Sequence, residues 1–184
     1  MRVATWNLWW RYGGWDRREP AIAATLREVD ADVVTLQESW ELDGERQVDR
    51  LAVSTGHPHR AFVPYDDCRY WQRRASGADA RATIGLAVLS RWPVQVVEVL
   101  PLPHGDRADN GRIAVGMIIE RPDGAVPVVT THLASSPAAS ATRVRQVREV
   151  AALAHRTQER VDDGAVVVTG DLNAEPGSDE VRLL

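Results

Sequence analysis

Hydrophobic positions along the chain come in short runs that switch between a strand-like and a helix-like period. Arg2 to Leu8 reads as a short buried strand ending at Asn7. From Glu19 to Val29, Ile22, Leu26 and Val29 recur at helical spacing, with Pro20 tolerated in the first turn. Asp30-Ala31-Asp32 is the turn out of that helix. Val33 to Leu36 is then a run of strand formers that reaches Gln37-Glu38-Ser39. Glu45 to Ser54 predicts a second helix with Val48, Leu51 and Ala52 on one side, and Arg60 to Val63 a short strand. Asp66 to Thr83 has no clean period and reads as a loop. Ile84 to Ser90 and Val94 to Leu100 are predicted strands separated by Arg91-Trp92-Pro93, and a polar loop follows from Pro101 to Gly111. Arg112 to Glu120 and Val126 to His132 flank Pro122-Asp123-Gly124, the clearest hairpin in the chain.

Arg143 to Glu159 is the clearest helix, with Val144, Val147, Val150, Ala151 and Ala154 on one face. Ala165 to Thr169 predicts a buried strand running into Gly170-Asp171-Leu172-Asn173, and Ser178 is placed to cap a last short helix from Asp179 to Leu184. No repeat, linker or low-complexity tract interrupts this order. Strands alternate with helices, then pair as meanders, then alternate again. The pattern predicts an α/β domain over residues 1–184 with sheets inside and helices outside.

Composition narrows the chemistry. The 184 residues carry 26% charged side chains and a net charge of -4, which is ordinary for a globular domain and argues against a generic nucleic-acid-coating protein. All 22 basic residues are Arg, so Schiff-base chemistry, Ser-Lys dyads and a P-loop lysine are excluded. Cys68 is the single cysteine, which excludes an internal disulfide and Cys-rich metal sites. One reduced thiol and the lack of a signal-peptide pattern at the N-terminus predict a cytoplasmic protein, and no apolar run is long enough to span a membrane.

Four polar segments follow four apolar strands: Asn7, Glu38, His132, and Asp171 with Asn173. Strand ends suit function because the strand fixes the backbone while the loop stays open to ligand. Glu38 is the hard oxygen donor that Mg2+ prefers. Asp171 is suited to orienting or deprotonating a water, and Asn7, Asn173 and His132 to hydrogen-bonding that water or phosphate oxygens. Together they suit metal-assisted hydrolysis of a phosphate ester. Each residue taken singly also fits turn chemistry or a solvated charge, and it is the ordered set that points to a site.

Thr5-Trp6-Asn7, Leu36-Gln37-Glu38, Gly85-Leu86-Ala87-Val88-Leu89-Ser90-Arg91, Thr131-His132-Leu133, the pair Arg143 and Gln146, and Gly170-Asp171-Leu172-Asn173 occur in that order through the chain. The set resembles the endonuclease/exonuclease/phosphatase superfamily, whose fold is that of pancreatic deoxyribonuclease. The resemblance implies a two-sheet β-sandwich flanked by helices in four layers. It also implies that Glu38, with Asn7 beside it, binds Mg2+ or Mn2+. His132 would contact the scissile phosphate or help protonate the leaving group, and Asp171 and Asn173 would position the attacking water. Arg143 and Gln146 would support the fold.

One departure stands out. The superfamily closes with further strands and an Asp-His motif whose His is catalytic, and no His follows Asn173. The expectation is therefore an N-terminal portion of a longer protein, with C-terminal strands missing, an uncovered sheet edge and impaired catalysis.

Two segments mix Arg with aromatics near the expected site: Trp9 to Arg18, and Arg69-Tyr70-Trp71-Gln72-Arg73-Arg74. Arg11, Arg73 and Arg74 are candidate phosphate contacts and Trp71 a candidate stacking surface. The expected activity is phosphodiester hydrolysis, with nucleic acid or nucleotide favoured as substrate. The alternatives are an inositol-phosphate or phospholipid headgroup, or a noncatalytic phosphate-binding module.

Overall fold

The computed structural model describes residues 1–105, 111–162 and 164–184. Strand β1 (Val3–Asn7) is followed by helix α1 (Trp15–Val29), β2 (Val33–Leu42), a two-residue β3 (Glu45–Arg46), α2 (Gln47–Thr55) and β4 (His59–Pro64). A short helix α3 (Arg69–Gln72) precedes β5 (Thr83–Ser90), β6 (Val94–Pro101), β7 (Ile113–Ile119) and β8 (Val126–His132). Helix α4 (Ser140–Gln158), β9 (Val167–Asp171) and α5 (Asp179–Arg182) complete the order.

The strands form two mixed sheets. The first runs β1-β2-β5-β4, with β3 hooked onto β2, and the second runs β6-β7-β8-β9. Each sheet has one parallel pair at one end, β1 with β2 and β8 with β9. The other long pairings are antiparallel.

The period-2 alternation of the central strands explains the layering. In β5, Ile84, Leu86 and Val88 point inward against Ile113, Val115 and Met117 of β7, between the sheets. The alternate residues Ala87 and Leu89 face out, where Ile22 and Leu26 of α1 and Val48 and Leu51 of α2 cover them. Across the molecule, Val147, Val150 and Leu153 of α4 cover Ala114 and Val129 on the outer face of the second sheet. Strands covered on both faces read as near-continuous apolar runs, which is how β5 and β7 look in the sequence. The architecture is α/β, two sheets flanked by helices in four layers, as the resemblance implied.

Several boundaries differ from the sequence reading. Helix α1 begins at Trp15, four residues before Glu19, because Trp15 packs edge-on against the buried Trp40. Strand β2 does not stop at Gln37-Glu38-Ser39 but continues to Leu42, with a register shift between Leu36 and Ser39. That shift is a bulge, and Glu38 sits in it with φ of 55°. The segment from Asp66 to Thr83 is not wholly loop. It holds α3 and a 3-10 turn (Gly77–Arg81), pinned by the buried Trp71 against Tyr65. The loop expected from Pro101 to Gly111 lies partly outside the described residues.

Among the described residues, β1 and β9 each pair along one edge only. Both are less buried than the middle strands, and Trp6 on β1 is exposed. The outer strands at the other ends of the two sheets, β4 and β6, likewise pair along one edge only. No helix among the described residues is long and apolar enough to cross a membrane.

Candidate active site

The parallel ends of the two sheets bring the four segments together. Asn7 ends β1, Asp171 ends β9, and His132 ends β8 directly opposite Asp171 in the parallel register. Asn7 joins the two halves, because its amide donates to Asp171 Oδ2 at 2.9 Å and to Glu38 Oε1 at 3.4 Å. Its own oxygen accepts the Trp9 N–H at 2.9 Å. His132 Nε2 lies 3.5 Å from Asp171 Oδ2, and Nδ1 lies 4.0 Å from Glu38 Oε1. One amide and one imidazole thus sit between two carboxylates drawn from different sheets.

Asn173 follows Asp171 by two residues and has a φ of 47°. Its backbone N–H donates to Asp171 Oδ1 at 3.0 Å, an Asx turn. Its side-chain amide donates to the Leu133 carbonyl at 3.0 Å. The residue ties the loop after β9 to the loop after β8, so it positions Asp171 and His132 relative to each other. Arg143 and Gln146 brace the same loop from α4. Arg143 donates to the carbonyls of Ala134 and Ser136 and to Glu180, and Gln146 accepts the Ala134 N–H and donates to the Pro103 carbonyl.

Burial sets the protonation states. Desolvation raises the Glu38 carboxyl above its usual range, and the nearby Asp171 adds to that, while Arg112 and the Asn7 amide pull it back down. Glu38 Oε2 is buried and has no hydrogen-bond partner. His132 is 1% exposed. Burial, with the Arg112 cation nearby, holds it well below the usual imidazole value, so it is neutral near pH 7. Two residues beneath the site carried no signal in the sequence. Tyr65 places its hydroxyl 2.9 Å from His132 Nδ1, and Arg112 stacks over the rings of Tyr65 and Trp71.

The donor set has the chemistry of a hard-cation site. Two carboxylates converge on Asn7, one of them has an orphaned buried oxygen, and burial penalises its charge. A bound cation would remove that penalty. No group of three or more His, Cys, Asp or Glu among the described residues forms a full cage. Mg2+ does not require one, since it commonly takes one or two carboxylates and fills its sphere with water and phosphate oxygens. The residues present fit such an ion.

The arginine and aromatic candidates divide. Arg11 is not placed to bind substrate. Its side chain is 9% exposed, lies between the rings of Trp15 and Trp40 at 3.8 and 4.5 Å, and is paired with Asp79 at 2.6 Å. Trp71 is 3% exposed and packs against Tyr65 and Tyr70, so it offers no free face for stacking. Both are interior because a guanidinium on an aromatic ring is as useful inside a core as on a ligand. Arg73 and Arg74 remain exposed, and Arg74 donates to the Tyr70 hydroxyl at 2.7 Å. Two exposed aromatics flank Asn7 in sequence, Trp6 directly before it and Trp9, at 56%, two residues after it. Trp9 and Trp10 both have positive φ, and Arg18 braces that turn by donating to the carbonyls of Leu8, Trp9, Trp10 and Tyr12.

Residues 4–184 match the profile of the Endonuclease/Exonuclease/phosphatase family. Among solved structures, the chain is similar to an endonuclease/exonuclease/phosphatase from Beutenbergia cavernae DSM 12333 (27% identity, TM-score 0.72, 97% of this chain and 48% of that one). It is similar in fold to the human Nocturnin catalytic domain with bound sulfate anion (18% identity, TM-score 0.77, 99% and 67%). It is also similar in fold to sphingomyelinase C from Streptomyces griseocarneus (24% identity, TM-score 0.74, 100% and 68%). The chain spans about half the length of the first of these and about two thirds of the other two. Among curated proteins, none matches.

Proposed function

The chain belongs to the endonuclease/exonuclease/phosphatase family, and from that premise we propose that it is a divalent-metal-dependent phosphodiesterase working at Asn7, Glu38, His132 and Asp171. The observation that carries this reading is the buried, unpartnered Oε2 of Glu38 beside Asp171, in a pair of carboxylates that Asn7 links. An isolated buried carboxylate oxygen is costly, and a site that keeps one is built for a ligand.

Bound there, Mg2+ or Mn2+ would supply charge stabilisation to the phosphoryl oxygens. Glu38 would hold the ion, and the Asn7 amide fixes the rotamer of the two carboxylates around it. Asp171, the more exposed of the two, is placed to accept a proton from an attacking water. His132, neutral and buried, offers a hydrogen bond to a phosphate oxygen without adding a second cation next to Arg112. The Asn173 and Arg143 bonds keep His132 and Asp171 in register.

Nucleic acid or nucleotide is the favoured substrate, because the exposed Trp9 ring lies two residues from Asn7 and Arg73 and Arg74 are exposed in the turn after α3. Base-on-aromatic stacking contributes about 1–3 kcal/mol per base. One specific observation favours phosphate binding without turnover. The only His in the constellation is His132, since His57 is tied to Thr55 and the Ala31 carbonyl, and His59, His104 and His155 bond elsewhere or face solvent.

Bis(p-nitrophenyl) phosphate and a dinucleotide, assayed with Mg2+, Mn2+ or chelator, separate the readings. Metal-dependent turnover abolished by Glu38→Gln is expected. Metal-dependent protection of the fold with no turnover would favour the binding module, and no metal response in either readout would overturn the proposal.

A further inference from the structure

Tyr65 directly follows β4, 67 positions before His132 in sequence, yet its hydroxyl is 2.9 Å from His132 Nδ1. The ring is 4% exposed and is held by Trp71 on one side and by the edge of His132 on another. A neutral phenol has one proton to give and two lone pairs to offer. The Arg112 guanidinium lies over the Tyr65 ring at 5.7 Å and has no lone pair to take the phenol's proton. His132 Nδ1 is within hydrogen-bond reach as an acceptor.

The other ring nitrogen gives an independent reason. Nε2 faces Asp171 Oδ2 at 3.5 Å. A bare Nε2 would set a lone pair against a carboxylate. A protonated Nε2 sets an N–H there instead. Glu38 Oε1 lies farther from Nδ1, at 4.0 Å, so the closer carboxylate and the Tyr65 hydroxyl favour the same tautomer.

We infer that Tyr65 is a positioning residue that holds His132 with Nδ1 bare and the proton on Nε2, so that an N–H donor is aimed at the phosphate site. Arg112 acts one step further back, with its guanidinium over the Tyr65 ring. The tautomer follows from the Tyr65 and Asp171 contacts, whereas its use in turnover rests on the phosphodiesterase reading. The arrangement has the logic of a metal-site His whose second nitrogen is oriented by an outer partner, with a phenol in the place usually taken by a carboxylate or carbonyl.

The test is 15N NMR of the full 184-residue chain labelled at His, with His132→Asn to assign the signal. The expected wild-type pattern is a protonated Nε2 and a bare, hydrogen-bonded Nδ1 on His132. In Tyr65→Phe, which keeps the ring, that pattern should give way to a mixture or to the Nδ1–H form. Turnover should fall about 10–100-fold in kcat with KM little changed. A wild-type His132 carrying its proton on Nδ1 would overturn the inference without any Tyr65 variant. So would a folded Tyr65→Phe whose His132 signals do not move. A chain that turns over nothing but shows Nε2–H on His132 would leave the placement of Tyr65 standing and remove the phosphodiesterase reading.

Discussion

Gly170→Ala is the substitution that most directly tests how the site is assembled. Gly170 precedes Asp171 on β9 and faces Thr131 on β8, with a φ of 139°. A Cβ there would lie 2.1 Å from the Thr131 carbonyl oxygen and 2.9 Å from its carbon. To restore even a 3.0 Å approach to the oxygen, the two backbones must part by about 0.9 Å, which spoils the neighbouring ladder hydrogen bonds. The backbone strain is about 1–3 kcal/mol and forced overpacking adds about 1–3 more. A loss of about 2–6 kcal/mol is expected, a large share of the roughly 5–15 kcal/mol that holds a domain folded. For a chain of this size that is a fall in Tm of about 4–24 °C.

Gly124→Ala is the matched control. Gly124 has a φ of 123° but nothing within 4 Å of the added carbon, so it carries backbone strain without the close approach. Thermal and urea unfolding of both variants, with and without Mg2+, separate the two contributions. Gly170→Ala should lose more stability than Gly124→Ala and should also lose its response to Mg2+, because the step that separates β8 from β9 also separates His132 from Asp171. Equal losses in the two variants, or a Gly170→Ala protein that keeps the wild-type Mg2+ response, would refute the reasoning.

Two further outcomes are expected. Arg11→Ala should destabilise the fold by about 1.5–3 kcal/mol, seen in urea unfolding, because it breaks a charge-assisted hydrogen bond to the half-buried Asp79 and empties the slot between Trp15 and Trp40, leaving KM in any folded fraction near wild type. Glu38→Gln should make the metal-free protein more stable than wild type at pH 7. The carboxyl is raised in the folded state above its ordinary 4.5, so the unfolded chain ionises first as pH rises. The wild type is therefore penalised above that range and not below it, and the gap measured by urea unfolding should shrink as pH falls toward 4.5 and close below it. Adding Mg2+ should reverse the order by stabilising only the wild type.

Much of the fold could be read from local pattern, and the reason is visible in particular elements. Val126 to His132 was legible as a strand to the residue, and β5 and β7 to within one residue, because apolar runs bounded by turn residues leave few alternatives. Glu38 was located but its backbone was not. Gln37-Glu38-Ser39 is polar and looks like a strand ending, whereas the strand continues because Trp40 is needed in the core next to Trp15 and Arg11. The same limit applied to Arg11 and Trp71. An Arg beside a Trp has one appearance in sequence, and only burial tells a stacked core pair from a ligand contact. Tyr65 was missed altogether, since nothing local distinguishes a tyrosine after Val-Pro at a strand end.

The order of the motifs was therefore enough to point to the α/β layering and to single out Asn7, Glu38, His132 and Asp171 as candidates, because phosphate-ester chemistry uses those residue types and strand ends expose them. The tertiary structure decided how they act on one another. Asn7 and Asp171 are 164 positions apart and share a hydrogen bond. Tyr65 and His132 are 67 apart and share another. Such bonds depend on strand register and on what is excluded from water, and neither is a property of any one segment.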